Sequence, residues 1–569
     1  NLTNTVVCVN REKFGIELPF NDRYTNADEC ITNHCNTHIW CGHNTAWVNA
    51  LRMGPSDINL GLVLTKGALD SYGQNNCWSN TRGIFIINPS TFFLSAGDSY
   101  EIEWELLWHN GTEDFWGKLS EFRNTILINA DNYTFFEGET IEFEVLMNNT
   151  ADFDKIKVVC KEDELPIYQK DNIAKVRYLP ESTGDYRFYV YYNDNLYTYA
   201  DFTVKTSFEK LVENRVEFIV NNQQYSDKNS PLYGAYLIYD NQTESMYFDD
   251  SFPDHNACRE RTGMALLLTK YLQFKYDEKI MNSLKLYLEF AEREFYDSKS
   301  GEIYNTIGKN RNMIRLYNAP WIIMLFTEVY YLTADTAYLK KILKIAENYY
   351  KLGGSKFYPN GLTIERLVNA YYKENMPAEA QIIKAFFKVH TDNMIQNGVS
   401  YPKHEVNYEQ TIVTPAATFI SEYGLVSDNP NFYAAEAYKH ILCLERFSGM
   451  QPSFHLNEIP IRYWDDYWFG KNQLHGDTFP HYWSCLTARS YIAYYKLCGT
   501  KEYLKKAETC IRNCMCLFTD DGRGSCAYVY PCKLDGTKGE FYDEWANDQD
   551  FALYFALSFA GELEVFNIQ

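Results

Sequence analysis

The sequence has no run of about 18 apolar residues, so no segment reads as a membrane-spanning helix. It is also short of basic residues: 53 Lys and Arg stand against 75 Asp and Glu, a formal charge of −22. That balance argues against nucleic acid or an anionic membrane as the partner. A fully paired set of cysteines is excluded because 15 is odd. Cys510, Cys514 and Cys516 lack a second ligand pair at zinc-like spacing, so buried reduced thiols are expected. Reduced thiols favour a cytoplasmic setting. The sequence opens at Asn1 with no initiator Met and no signal-like run, which leaves a processed secreted or periplasmic chain open. No metal or other cofactor is called for, since Asp249–Asp250 and Asp548/Asp550 lack the alternation of a calcium loop.

What the chain does have is length and rings. Its 569 residues fit two to four domains and can bury large cores without cysteine staples. Hydrophobic residues at 46% and charged residues at 22% are the balance of a globular protein. Aromatics reach 17%, with 47 Tyr, 36 Phe and 11 Trp. Such a surplus suits flat, weakly polar ligands such as sugar rings, and it equally suits a biased nucleotide composition.

The first 205 residues read as strands. Ile84–Ile87 and Tyr100–Trp108 alternate between turn clusters, and a second block repeats the pattern at Thr140–Val145, Lys155–Val159, Tyr186–Tyr192 and Tyr199–Val204. Pro180–Gly184 is a turn signal of the kind found in immunoglobulin-like sandwiches. Residues 1–123 are therefore expected to form a β-sandwich and 124–205 an Ig-like β domain. From 206 to 569 the period becomes helical, with twelve stretches alternating between tight turns and long loops. The fold class expected is a multidomain protein of α and β: an N-terminal β-sandwich region followed by a C-terminal (α/α)6 toroid. Inner helices are expected to start near 255, 316, 360, 408, 478 and 547, so that six N-termini converge on one mouth and favour anionic groups there.

The loops feeding that mouth are dense in acids and rings. A glycosidic bond is hydrolysed by one carboxylic acid and one carboxylate, while aromatic faces cover the C–H faces of sugars. On that reasoning Asp477 is the expected general acid and Glu409 the general base, with Glu544, Asp466 and His481 as further catalytic candidates. Substrate contacts are expected from Arg259, Arg261, Tyr317, Glu405, Asn407, Tyr408, Trp464, Trp468, His475, Trp483 and Trp545. Plainer readings stand beside these. Asp477, before Thr478 and Pro480, reads as a helix N-cap. Glu409 is favoured in a first turn by the dipole alone. His481 fits a satisfied core position, and Arg259 and Arg261 point in different directions on a helix, so one is expected to be structural.

The segments CRERTGMALLL, HEVNYEQTIVTPA, GDTFPHYWS and DEWANDQDFALYFAL, with the twelve-helix rhythm, resemble barrel segments of the six-hairpin glycosidase superfamily, especially uronate-directed bacterial members such as glucuronyl hydrolases and β-glucuronidases. The resemblance spans the whole chain and is one of architecture. It implies a β-sandwich region before an (α/α)6 barrel and an enzyme of carbohydrate metabolism with two carboxyl groups. No diagnostic catalytic motif matches, and the water-activating Asp signature of the cellulase subgroup is absent, so no catalytic residue is carried over. Arg259, Arg261, Arg315, Lys403 and His404 suit a uronic acid in the substrate.

The leading expectation is thus a glycoside hydrolase of six-hairpin type, degrading a poly- or oligosaccharide at a uronic acid. The alternative is a polysaccharide lyase working by β-elimination, with Tyr408 or His481 moving protons and Arg261 or Asn407 neutralising the uronate. A non-catalytic carbohydrate-binding protein is the third reading, disfavoured by the concentration of acids at the mouth. In each the partner is a carbohydrate, and the oligomeric state is left open.

Overall fold

The computed structural model describes residues 7–9, 14–148, 150–170, 173–249, 258, 262–310, 315–403, 407–462 and 470–568. It is a mixed α and β protein in which sheets lead and helices follow. After the short helix α1 (Ala27–Asn33), a four-stranded antiparallel sheet runs in the order Cys35–Gly42, Thr45–Arg52, Asn59–Lys66, Glu103–His109. A five-stranded sheet runs Ile16–Leu18, Ile84–Pro89, Leu69–Asn75, Lys533–Leu534, Thr537–Lys538. Val48, Leu62 and Leu64 of the first sheet share a core with Leu69, Phe85 and Ile87 of the second, because alternate residues of each strand face inward. Two strands of this sandwich come from beyond residue 530, so the C-terminal chain completes the N-terminal sheet.

Helix α2 (Thr112–Leu119) leads to a second pair of sheets, of four and five strands. Strand Ile141–Leu146 shows the cleanest alternation, with Ile141, Phe143 and Val145 buried against Val158, Phe188 and Phe202 of the facing sheet.

The remaining helices are α3 (Phe208–Phe218), α4 (Thr262–Phe274), α5 (Glu278–Glu294), α6 (Asn318–Thr333), α7 (Ala337–Lys351), α8 (Ile364–Lys373) and α9 (Pro377–Asn397). They continue as α10 (Gln410–Leu425), α11 (Pro430–Leu444), α12 (Cys485–Cys498), α13 (Lys501–Cys514) and α14 (Asp550–Ser558). Helices α4, α6, α8, α10, α12 and α14 touch in a closed ring, and α5, α7, α9, α11 and α13 each back onto the ring helix before them. Composition explains the two roles. Every residue of α4 from Thr262 to Leu272 is buried, as befits a helix covered on all sides. Helix α5 buries one stripe, including Ile280, Leu284, Tyr287 and Ala291. Left-handed residues turn the chain between partners: Ala334 (φ 55°) after α6 and Gly499 (φ 74°) after α12. Buried Arg215 of α3 grips Asp550 of α14 at 2.6 and 2.9 Å, tying the first helix of the helical half to the last.

Two details depart from the sequence reading. The chain at Thr478–His481 is a strand paired with Ala527–Val529, and α12 starts only at Cys485, so Asp477 is no helix cap. Helix α8 starts at Ile364 after an extended stretch held by Arg489, whose guanidinium donates to the carbonyls of Gly361 and Leu362. Arg366, in the first turn of α8, lies with Glu328 of α6 (2.6 Å). The fourteen cysteines described are all free thiols, most of them buried, and no helix among the described residues is long and apolar enough to cross a membrane.

Candidate active site

The described residues just ahead of α6, α10 and α12 gather at one end of the ring, the mouth, where Trp483 lies 6.4 Å from Tyr317 and its carbonyl accepts from Gln410. Of the candidates read from sequence, Arg259, Arg261, Glu405, Trp464, Asp466 and Trp468 lie outside the described residues. The others fall into three groups.

The first group gathers under the mouth. Glu409 stands at the N-cap of α10 in extended backbone (φ −161°, ψ 178°), and its carboxylate makes no hydrogen bond to the helix N–H groups. Thr411 donates to its Oε1, while its Oε2 sits 3.6 Å from Nε of Arg462 and accepts no hydrogen bond. Burial raises the carboxyl above the usual glutamate range, opposed by the Arg462 charge and the Thr411 bond. Arg462 also donates to the Tyr482 hydroxyl at 2.7 Å, its guanidinium 5.2 Å from that ring's centre. The strand Thr478–His481 delivers the next residues. His481 accepts from the Trp483 N–H through Nδ1 (3.1 Å), and burial, reinforced by Arg462, pushes the imidazole well below its ordinary value. It is therefore a neutral ring with one nitrogen committed to backbone. Trp483 packs edge-on to Trp321 at 5.4 Å and lies 6.4 Å from Tyr317, filling the throat of the ring instead of an open platform.

The second group joins the mouth to the first sandwich. Both oxygens of Asp477 lie on Arg82 at 2.7 Å, Tyr72 donates to Oδ2 at 2.7 Å, and the Asp477 N–H donates to Gln74. Arg82 binds Asp22 as well, at 2.5 Å, and all three charged groups are buried. A carboxylate so fully engaged is built to hold two units together; nothing in this geometry presents it to a substrate. Asn407 donates to the Tyr24 carbonyl and to Asn80, while Tyr408 donates to the Met53 carbonyl at 3.1 Å. Burial holds the Tyr408 phenol well above its ordinary value. These two expected ligands thus face the sandwich.

The third group lies along the rim. Trp545 is buried and stacks on Tyr247 at 4.5 Å, and Glu544 accepts from Asn472 at 3.1 Å. Half-buried Tyr317 carries Arg315 4.8 Å from its ring centre. His475 meets Trp78 of the first sandwich at 4.9 Å.

Three residues of this site were not read from sequence. Arg462 and Tyr482 passed unnoticed because each borders a more conspicuous aromatic run. Trp78 is 68% exposed and sits in the polar turn Asn75–Asn80. A large apolar ring in such a turn is a usable sequence signal.

No protein-family model and no curated protein matches the sequence. Among solved structures, the chain is similar to Polysaccharide Lyase BACCELL_00875, at 37% identity and a TM-score of 0.92, covering 96% of this chain and 82% of that one. The chain belongs to the family of that protein. It is more distantly similar to a sugar epimerase from a ruminal bacterium (12% identity, TM-score 0.43, 62% of this chain and 97% of that one). An unsaturated glucuronyl hydrolase specific for heparin is comparable, at 10% identity and a TM-score of 0.39, covering 63% of this chain and 97% of that one. Those two likenesses are too slight to bear on activity.

The family relationship corrects the leading expectation: the glycoside hydrolase gives way to its alternative, the lyase. The error has a physical source. Hydrolases and lyases both line a sugar cleft with acids and rings, so residue types at the mouth do not separate them.

Proposed function

We propose that the protein is a polysaccharide lyase that cleaves a uronate-containing glycan by β-elimination, on a helical ring of (α/α)6 type behind N-terminal β-sandwiches. The observation that supports this is the 37% identity, extending over 96% of the chain, to a protein named as a polysaccharide lyase. The reaction removes the proton at C5 of the uronate and breaks the bond from the β-carbon to the leaving oxygen. It needs positive charge at the carboxylate, a base for the proton and an acid for the leaving group. Arg315 and Lys403 stand just ahead of α6 and α10, where helix N-termini already favour an anion.

Proton transfer falls to Tyr482 in this reading. A guanidinium donating to a phenol oxygen stabilises negative charge there, and Arg462 does so at 2.7 Å. Glu409 is a positioning residue that holds Arg462, and Trp78 offers a ring face to a sugar at the outer end of the cleft. His481, committed to the Trp483 backbone, keeps the turn in place.

The test is incubation with a panel of polyuronates while following ultraviolet absorbance of the unsaturated product. Absorbance should rise as chain length falls. Shortening of the polymer with no such rise would return the protein to the hydrolases.

A further inference from the structure

A second cleft, of about 510 Å³, opens where three parts of the chain meet. Its walls are the strand Leu69–Asn75 of the first sandwich, the strands Gly184–Tyr192 and Leu196–Lys205 of the second, and barrel segments around His455 and Tyr528–Cys532. It shares no lining residue with the Glu409–Arg462–Tyr482 cluster. The volume is that of a small-molecule site, which spans roughly 300–1,000 Å³.

Rings dominate the walls. Tyr189, Tyr197 and Tyr199 rise from the second sandwich, with Tyr189 at 6.1 and 6.3 Å from the other two. Tyr528 faces them from the barrel side and carries His455 stacked at 4.0 Å and 11°. The rings are held in place: the Tyr199 hydroxyl donates to the Cys41 carbonyl, and the Arg187 guanidinium lies over the Tyr199 ring, 3.9 Å from its centre. Fixed aromatic faces of this kind match the C–H faces of sugar rings and cost little ordering on binding.

The charges say which sugar. Arg187 is already spent on Asp201, in a bidentate pair at 2.6 and 2.9 Å. Burial, with Arg187 nearby, pushes His455 down to about 3, so it carries no charge near neutrality. Asp70 and Asp185 also line the cleft, and neither has an ion-pair partner among the described residues. The surplus is therefore negative. Carboxylates accept hydrogen bonds from sugar hydroxyls and repel a uronate.

We propose that this cleft binds a neutral saccharide unit, apart from the acidic glycan assigned to the mouth. The site is argued from its own walls and does not depend on the lyase reading.

Titration calorimetry on the whole protein tests it, with cello-, malto-, manno- and galacto-hexasaccharides against an oligouronate of equal length. At least one neutral hexasaccharide should bind. Tyr189→Ala should weaken that binding about 10-fold through loss of one stacking face, with the thermal midpoint and turnover of polyuronate unchanged. Asp185→Asn, at an exposed position, should weaken it by a few fold through one lost hydroxyl contact. No binding by any of the four would overturn the proposal. So would binding that both variants leave intact, or displacement of the neutral sugar by the oligouronate at equal affinity. A failure of turnover alone would count against the lyase reading and leave this cleft standing.

Discussion

Two acid–base pairs lie buried near the mouth, and they are built differently. Asp477 and Arg82 meet through two 2.7 Å bonds, with Tyr72, Gln74 and Asp22 completing the shell. Glu409 and Arg462 stand 3.6 Å apart, with one carboxylate oxygen accepting no hydrogen bond. The tight pair joins barrel to sandwich. The loose pair sits beside a phenol and an imidazole under the mouth. A saturated ion pair is a fastening, whereas an incompletely satisfied one marks a place where a ligand or a proton can be accommodated. Two acids chosen from sequence on the same grounds thus sit in unlike surroundings.

The comparison breaks most visibly at its two ends. Tyr482→Phe should lower turnover of polyuronate by roughly 10²–10⁴, the range of a lost proton-transfer group, with an unchanged thermal midpoint; a variant that keeps full turnover would remove the loose cluster from the chemistry. Asp477→Ala should cost about 3–5 kcal/mol in denaturant unfolding, because Arg82 is left buried with half its counter-charge, while protein that remains folded turns over normally. Lost activity at unchanged stability would make Asp477 a catalytic acid after all.

Smaller effects sharpen the contrast. Glu409→Gln should lower turnover about 10-fold by loosening Arg462, and should cost less stability than Asp477→Ala in the same denaturant unfolding, because a pair 3.6 Å apart with no hydrogen bond has less attraction to lose. Glu458 offers a pH-dependent case: burial pushes its carboxyl up to about 7. The folded state then holds a proton that the unfolded state has released, so stability should fall as pH rises from about 4.5 to about 7, by up to roughly 3 kcal/mol. Thermal melts of Glu458→Gln should be flatter across that window. Trp78→Ala should raise KM for long polyuronates a few fold and leave kcat alone, since one stacked ring is worth about 1 kcal/mol.

Much of the fold was legible because its signals are local. The strand at Ile141–Leu146 alternates in burial as its sequence alternates. The helices beginning at Pro377 and Pro430 carry Pro at their first turn, a signal that acts on its neighbours only. The start of α12 was misread for the same reason: Asp477–Thr478–Phe479–Pro480 has the local look of a cap, and only pairing with Ala527–Val529 makes it a strand. The site was half legible. Glu409, His481 and Trp483 were chosen for residue type and do converge with Arg462. Asn407, Tyr408 and Asp477 were chosen on the same grounds and face the sandwich instead.

By itself the sequence determined the order of sheets and helices and the alternation of buried and half-buried helices, because periodicity and capping are properties of neighbouring residues. Tertiary structure decided which acid is fully engaged by its neighbours and which keeps an oxygen without a hydrogen bond. Arg82 and Asp477 are 395 residues apart, and no local pattern reports that they share two hydrogen bonds in a buried interface.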